Sequence, residues 1–116
     1  MKFPASEIAE HLKVIEDVFW SRRRPPTHMR DKVREGQRID GTTIELFIVR
    51  PAINRPGQEI EESIAKIQHM PRLGVWRIFW KQADGKWHRY QPRFEASSLA
   101  EALGVIDQDA NCAFFG

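Results

Sequence analysis

The dipeptide Asp84-Gly85 is the strongest local folding signal in this 116-residue chain. It separates two strand-like runs, GVWRIFWK and KWHRYQP, and a two-residue type I′ turn favours Asp-Gly because both of its central residues need positive φ. The cross-strand pairs expected in such a hairpin include Gln82 with Trp87, Trp80 with Arg89, and Lys81 with His88. Trp80, Trp87 and Arg89 then share one face. The sequence therefore predicts a fold organised by an antiparallel sheet.

Three further strands are predicted upstream of this hairpin. The run TTIELFIVR, rich in β-branched and aromatic residues, predicts a strand over 42–50, and a weaker strand over 33–39 precedes it across an Asp40-Gly41 turn. Residues 63–70 alternate well enough for another strand, in which Ile64 and Lys66 face opposite to Ala65 and Ile67.

Two helices bracket these strands. Apolar residues at spacings of four, three and four predict a helix over 6–21 capped by Ser6, and Pro25-Pro26 prevent its continuation. Ser98 and Glu101 form a capping-box pattern at the start of a helix over 98–108. The apolar tail ANCAFFG is expected to pack on the core or to pair as an edge strand.

The fold class that follows is α+β: an antiparallel sheet of four or five strands flanked by an N-terminal and a C-terminal helix. A mass of 13.6 kDa suits one domain spanning residues 1–116. We expect no signal peptide and no membrane span, since no long apolar run is present. A single cysteine, Cys112, cannot form an intramolecular disulfide, which favours a reducing compartment and a cytoplasmic location.

Positive charge is concentrated in two blocks. Residues 20–38 carry seven basic residues against two acidic ones, and residues 72–93 carry six against one. The second block also holds three of the four tryptophans. Nine residues are the candidate binding residues: Arg22, Arg23, Arg24, Arg77, Trp80, Lys81, Trp87, His88 and Arg89. Whether the two blocks share a face depends on the fold.

The pattern of cations and rings favours a non-catalytic binding module. Nucleic acid binding needs Lys or Arg for phosphates and exposed rings for bases, and the 76–89 hairpin interleaves both. The competing interpretation is that these rings only stabilise the sheet through cross-strand and cation–π pairs. A third hypothesis is protein interaction or homodimerisation through an apolar edge at 112–115.

Signals for catalysis and for metal binding are weak. The four histidines and Cys112 lack the spacing of a metal site, so no metal and no cofactor is predicted. A lone Cys112 is expected to be a buried hydrophobe, although a tertiary pair with His88 stays open. An enzyme using His88 or His69 with a carboxylate such as Glu45 or Glu35 is the remaining alternative. The acidic run at Glu59, Glu61 and Glu62 is typical of a solvated loop.

Four segments carry a family resemblance: VREGQRIDG, IELFIVRP, WRIFWKQADGKWHRY and CAFFG. With these segments, residues 33–116 resemble a bacterial family of small proteins known only as a domain of unknown function. The resemblance implies a soluble bacterial protein. It assigns no activity, cofactor or catalytic residue to any position.

Overall fold

The computed structural model describes residues 2–111 and 113–115. The N-terminal helix is α-helical over Ala5–Val14, π-helical over Ile15–Trp20 and α-helical again over Ser21–Arg23. Short 3₁₀ turns lie at Thr27–Met29 and Gln91–Arg93. The strands are β1 (Arg34–Asp40), β2 (Thr43–Pro51), β3 (Glu59–Met70), β4 (Val75–Lys81), β5 (Trp87–Arg89) and β6 (Glu95–Ala96). The C-terminal helix is Leu99–Gln108.

The sheet is an antiparallel meander. Strands β1 to β5 follow one another in sequence order, and the short β6 pairs with β4 beyond the end of β5. This confirms the predicted α+β class, with five strands in the main path and a sixth at its edge. In the described part of the chain, no helix has the length and apolar character that crossing a membrane requires.

Both helices pack on the same face of the sheet. Phe19 and Trp20 from the first helix and Leu103 and Ile106 from the second belong to one buried cluster with strand residues. The buried strand residues of β2 to β4 are mainly Ile44, Leu46, Ile64, Ala65, Ile67, Trp76 and Ile78. We call this covered face the inner face, and the other the outer face. Among the described residues no helix packs on the outer face, so its side chains meet solvent.

Two predictions for β3 are wrong. A register shift against β2 between Leu46 and Phe47 leaves Ile64 as an extra residue, so Ile64 and Ala65 are both buried instead of alternating. The acidic run is also not a loop, because β3 begins at Glu59. Cross-strand arginines pair with these carboxylates and allow the strand to continue: Arg34 with Glu59, Arg38 with Glu61, and Arg50 with Glu62.

The N-terminal helix starts earlier than predicted. Pro4 occupies the N-cap position with extended backbone angles, so Ser6 lies inside the first turn and caps nothing. The helix then reaches Arg23 through its π-helical segment, which buries Ile15, Phe19 and Trp20. The indole Nε1 of Trp20 donates to Oε1 of Gln37 at 2.9 Å, which ties the helix to β1.

The C-terminal helix begins as predicted, since Oγ of Ser98 accepts from the backbone N of Glu101 at 3.1 Å. It ends at Asp109, whose φ of 46° turns the chain back. The Asp109 carboxylate accepts from the backbone N of Phe114 and of Phe115, each at 2.9 Å. Phe114 packs on Tyr90, so packing of the tail is confirmed. Residues 113–115 form no edge strand, and Cys112 lies outside the described residues.

Candidate functional site

The hairpin between β4 and β5 turns differently from the prediction. The backbone N of Gly85 donates to O of Gln82 at 2.9 Å, and N of Gln82 donates to O of Lys86 at 3.1 Å. Gly85 has a φ of 78°, whereas Asp84 is not among the positive-φ residues. This is a three-residue loop, a type I turn followed by a glycine bulge, because a type I′ turn would need positive φ at both central positions.

The added loop residue shifts the register by one. Lys81 pairs with Trp87, Trp80 with His88, and Phe79 with Arg89. The predicted cross-strand pairs, among them Gln82 with Trp87 and Trp80 with Arg89, are therefore wrong. A one-residue shift in register moves the side chains of a strand to the opposite face. Trp80 and His88 lie on the inner side, whereas Trp87 and Arg89 join Lys81 on the outer face.

The outer face of β3 to β6 carries a compact group of cations and rings. We define the basic–aromatic patch as Lys66, Arg77, Phe79, Lys81, Trp87, Arg89 and Phe94. Strand alternation places Arg77, Phe79 and Lys81 side by side along β4. Lys66 comes from β3, opposite Phe79 in the register. The three rings are half-buried, so part of each ring surface meets solvent.

Each cation of the patch lies close to a ring. Nζ of Lys66 is 5.1 Å from the centroid of Phe79 and 5.3 Å from that of Trp87, and Nζ of Lys81 is 5.5 Å from Trp87. The guanidinium carbons of Arg77 and Arg89 lie 5.4 and 5.2 Å from the Phe94 centroid. Phe79 and Phe94 meet edge to face at 5.5 Å. These distances lie within the range of cation–π and aromatic pairs, which hold charge and ring surface together.

Most of this positive charge is uncompensated. Arg77 binds Glu95 at 3.0 Å, but Lys66, Lys81 and Arg89 form no ion pair with any described carboxylate. The other half of the outer face is neutralised, since Arg34 holds Glu59 at 2.8 Å and Arg38 holds Glu45 and Glu61 at 2.9 and 2.8 Å. Hydrogen bonds from Arg34 lower the pKa of Glu59 below its usual value. The field of the outer face is therefore positive at one end only.

Three arginines of the first basic block lie away from the outer face. Arg22, Arg23 and Arg24 end the N-terminal helix on the inner side, and each meets a carboxylate. Arg22 and Arg23 bind Asp107 at 2.9 and 2.7 Å, and Arg24 binds Glu16 and Glu35. The guanidinium of Arg23 also lies 3.8 Å from the Phe115 centroid. The first basic block is therefore divided: Arg22, Arg23 and Arg24 lie away from the patch and are paired with acidic residues, whereas Arg34 and Arg38 lie on the outer face with it.

The histidine and the carboxylates proposed for catalysis are engaged in contacts that stabilise the fold. Nε2 of His88 lies 2.9 Å from Oδ2 of Asp84, whose pKa is lowered by a hydrogen bond from the backbone N of Lys86 and by His88. The carboxylates named with them are held by arginines, Glu45 by Arg38 and Glu35 by Arg24. Within residues 2–111 and 113–115, no three potential metal-ligating side chains gather. The predicted pair of Cys112 with His88 involves Cys112, which lies outside the described residues.

His69 belongs to a ring cluster between the N-terminus and the sheet. It stacks on Trp76 at 4.3 Å, and Phe3 stacks on Trp76 at 5.8 Å. His11 meets Trp76 edge to face at 5.2 Å. Burial lowers the pKa of His11, because the charged imidazolium loses hydration there. This packing gives His11 and His69 a role in attaching the N-terminal helix to β3 and β4.

Three patch residues are absent from the sequence-based candidates: Lys66, Phe79 and Phe94. Alternation along residues 63–70 already separates Lys66 from the buried Ala65 and Ile67, which is a usable signal. The contact of Lys66 with Trp87 needs the pairing of β3 with β4, which periodicity does not specify. Of the nine predicted residues, Arg77, Lys81, Trp87 and Arg89 come together in the patch.

A search of curated proteins and a search of solved structures each return no match. A family model described as a domain of unknown function, DUF3024, matches residues 3–116. The match includes the N-terminal helix, which the resemblance over residues 33–116 left out. Since the model covers nearly the whole chain, the protein belongs to the family of the domain of unknown function DUF3024.

Proposed function

We propose that the basic–aromatic patch binds single-stranded nucleic acid. The observation that carries the proposal is the juxtaposition of Trp87 with Lys66 and Lys81 on a sheet face that no described helix covers. Both lysines lack a described carboxylate partner, and the indole ring is partly open to solvent. Such a surface offers phosphates a cation and bases a ring at the same place.

The chemistry of the patch favours single strands over duplexes. Bases in a single strand can unstack and lie on aromatic side chains, whereas the bases of a duplex are stacked on one another. The rings of Phe79, Trp87 and Phe94 lie on the sheet between cations, so stacking and phosphate neutralisation act on neighbouring nucleotides. Because stacking uses the ring face common to all bases, we expect weak sequence preference from this surface.

The rest of the charged surface is less suited to a polyanion. Arg34 and Arg38 are already bound to Glu59, Glu45 and Glu61, and a phosphate there would have to displace a carboxylate. The same holds for the arginines that end the N-terminal helix. We therefore propose that the strand contacts the patch, and that Arg22, Arg23 and Arg24, three of the nine candidates predicted from the sequence, do not bind it.

The test is the salt dependence of binding for two variants of equal charge. Lys66→Gln/Lys81→Gln removes two patch cations, and Lys13→Gln/Lys32→Gln removes two exposed lysines outside the patch. Binding of a fluorescein-labelled single strand of about twelve nucleotides is followed by fluorescence anisotropy at several salt concentrations. The patch variant should bind more weakly, and its log–log salt slope should be shallower by about 1.4, at roughly 0.7 per phosphate contact. The control variant should keep the slope of the parent protein.

Two results would contradict the proposal. Equal loss of affinity in both variants would mean that only the overall charge matters. Saturable binding that neither variant changes would place the strand on another surface. Circular dichroism of all variants establishes that the comparison is between folded proteins.

A further inference from the structure

A concave pocket lies beside the patch, on the inner side of the β4–β5 hairpin. Its volume is about 460 Å³, within the range of roughly 300 to 1,000 Å³ typical of small-molecule sites. The lining residues that matter here are Trp80, Gln82, Arg89, Tyr90, Gln91 and Asn111. The pocket therefore combines ring surface with amide groups and one guanidinium group.

The amide groups of this pocket are available to a ligand. In the described part of the chain, the side chains of Gln82, Gln91 and Asn111 make no hydrogen bond to another residue. Each amide offers donors and an acceptor, which is the combination that the edges of nucleobases present. The lining includes no carboxylate. Nothing in the lining therefore repels the phosphate that accompanies a nucleotide.

The pocket and the patch are continuous across the edge of the sheet. β5 ends the order of strands, so a bound chain can pass over it from the outer face to the inner side. Arg89 belongs to both places, because it lines the pocket while its guanidinium lies 5.2 Å from the Phe94 centroid. Trp80 and Lys81, adjacent in β4, likewise point to the two sides.

We infer that this pocket binds one unstacked nucleobase, with the half-exposed ring of Trp80 against its face and the amides at its edge. The inference rests on the proposed function, since the base arrives as part of the strand held by the patch. It adds base selectivity, which the patch alone does not provide. A bidentate contact between an amide and a base edge is enough to distinguish bases by about fivefold or more.

The test uses single nucleotides, which can bind in the pocket without contacting the patch. The four nucleoside 5′-monophosphates are titrated into the ¹⁵N-labelled protein, with ribose 5-phosphate as the probe that lacks a base. The expected result is saturable shifts of the Trp80 indole and of the Gln82, Gln91 and Asn111 amides, with dissociation constants that differ among the four bases. Asn111→Ala should weaken the preferred base about fivefold or more, whereas Asn54→Ala, in the loop between β2 and β3, should change nothing.

Different results would contradict base binding in the pocket and strand binding by the patch. Equal shifts with ribose 5-phosphate, or no shifts with any monophosphate, would contradict base binding in the pocket. Neither result would bear on strand binding by the patch. The patch proposal would be contradicted if Lys66→Gln/Lys81→Gln left the affinity for the strand unchanged. Base-dependent shifts with the monophosphates in that case would still support the pocket as a nucleotide site. Oligonucleotide affinity unchanged by Asn111→Ala and Gln91→Ala would also contradict the pocket.

Discussion

Phe19→Ala should lower the free energy of unfolding by about 3 to 5 kcal/mol, a large share of the roughly 5 to 15 kcal/mol of a typical domain. Phe19 has no solvent-exposed surface. Its ring meets Trp20 at 4.8 Å and stacks on Phe115 at 6.1 Å, so it joins the N-terminal helix to the C-terminal segment. The truncation leaves a cavity where the two helices meet over the sheet.

Urea unfolding followed by circular dichroism measures this loss. Leu12→Ala is the matched control, because Leu12 lies in the same helix but is 39% exposed. We expect the control to change stability by less than about 1 kcal/mol, since little apolar surface leaves a buried site. A loss that is equally small for Phe19→Ala would contradict the packing of both helices on one face.

Trp87→Ala should raise the dissociation constant for a single strand about 5- to 150-fold. This range corresponds to the roughly 1 to 3 kcal/mol that one base–aromatic stack contributes. The substitution also removes the ring beside Lys66 and Lys81, while the charge of both lysines remains. Trp87→Phe should recover part of the affinity, because a smaller ring still offers a face for stacking.

Phe47→Ala is the matched control for Trp87→Ala. Phe47 is also a half-buried ring on the outer face with a guanidinium near it, since Arg38 lies 4.8 Å from its centroid. It lies, however, in the half where Glu45 and Glu61 neutralise Arg38. We expect its loss to leave the affinity unchanged. If the two alanine variants lose affinity equally, stacking is not specific to the patch.

The antiparallel sheet and both helices follow from local patterns in the sequence. The hairpin register does not, because Asp84-Gly85 suits both a two-residue turn and the end of a three-residue loop. The choice between them depends on which residues pack inward. Trp80 borders the inner-side pocket and Tyr90 is buried in the core, and this burial selects the longer loop. Because of this one-residue shift in register, Lys81 and not Trp80 lies beside Trp87 on the outer face.

The arginines at the end of the N-terminal helix show a second feature that local sequence patterns do not predict, namely ion pairs with carboxylates distant in the sequence. A run of three arginines predicts a strong positive site when it is taken alone. Asp107, 84 residues away from Arg23, forms ion pairs with two of them, and Glu35 from β1 binds the third. Such pairs form only when the fold brings distant carboxylates together. Patch residues such as Phe94 and Lys66 also meet only through the tertiary fold.

The most direct test of binding at the patch is a ¹H–¹⁵N spectrum of the four indole groups, recorded with and without a short single strand. Trp20 donates to Gln37 and Trp76 lies in the core, whereas Trp80 borders the pocket and Trp87 lies in the patch. We expect a saturable shift of the Trp87 indole signal at low salt, with the Trp20 and Trp76 signals unchanged. A bound strand that leaves the Trp87 signal in place, or the absence of any shift at low salt, would contradict binding at the patch.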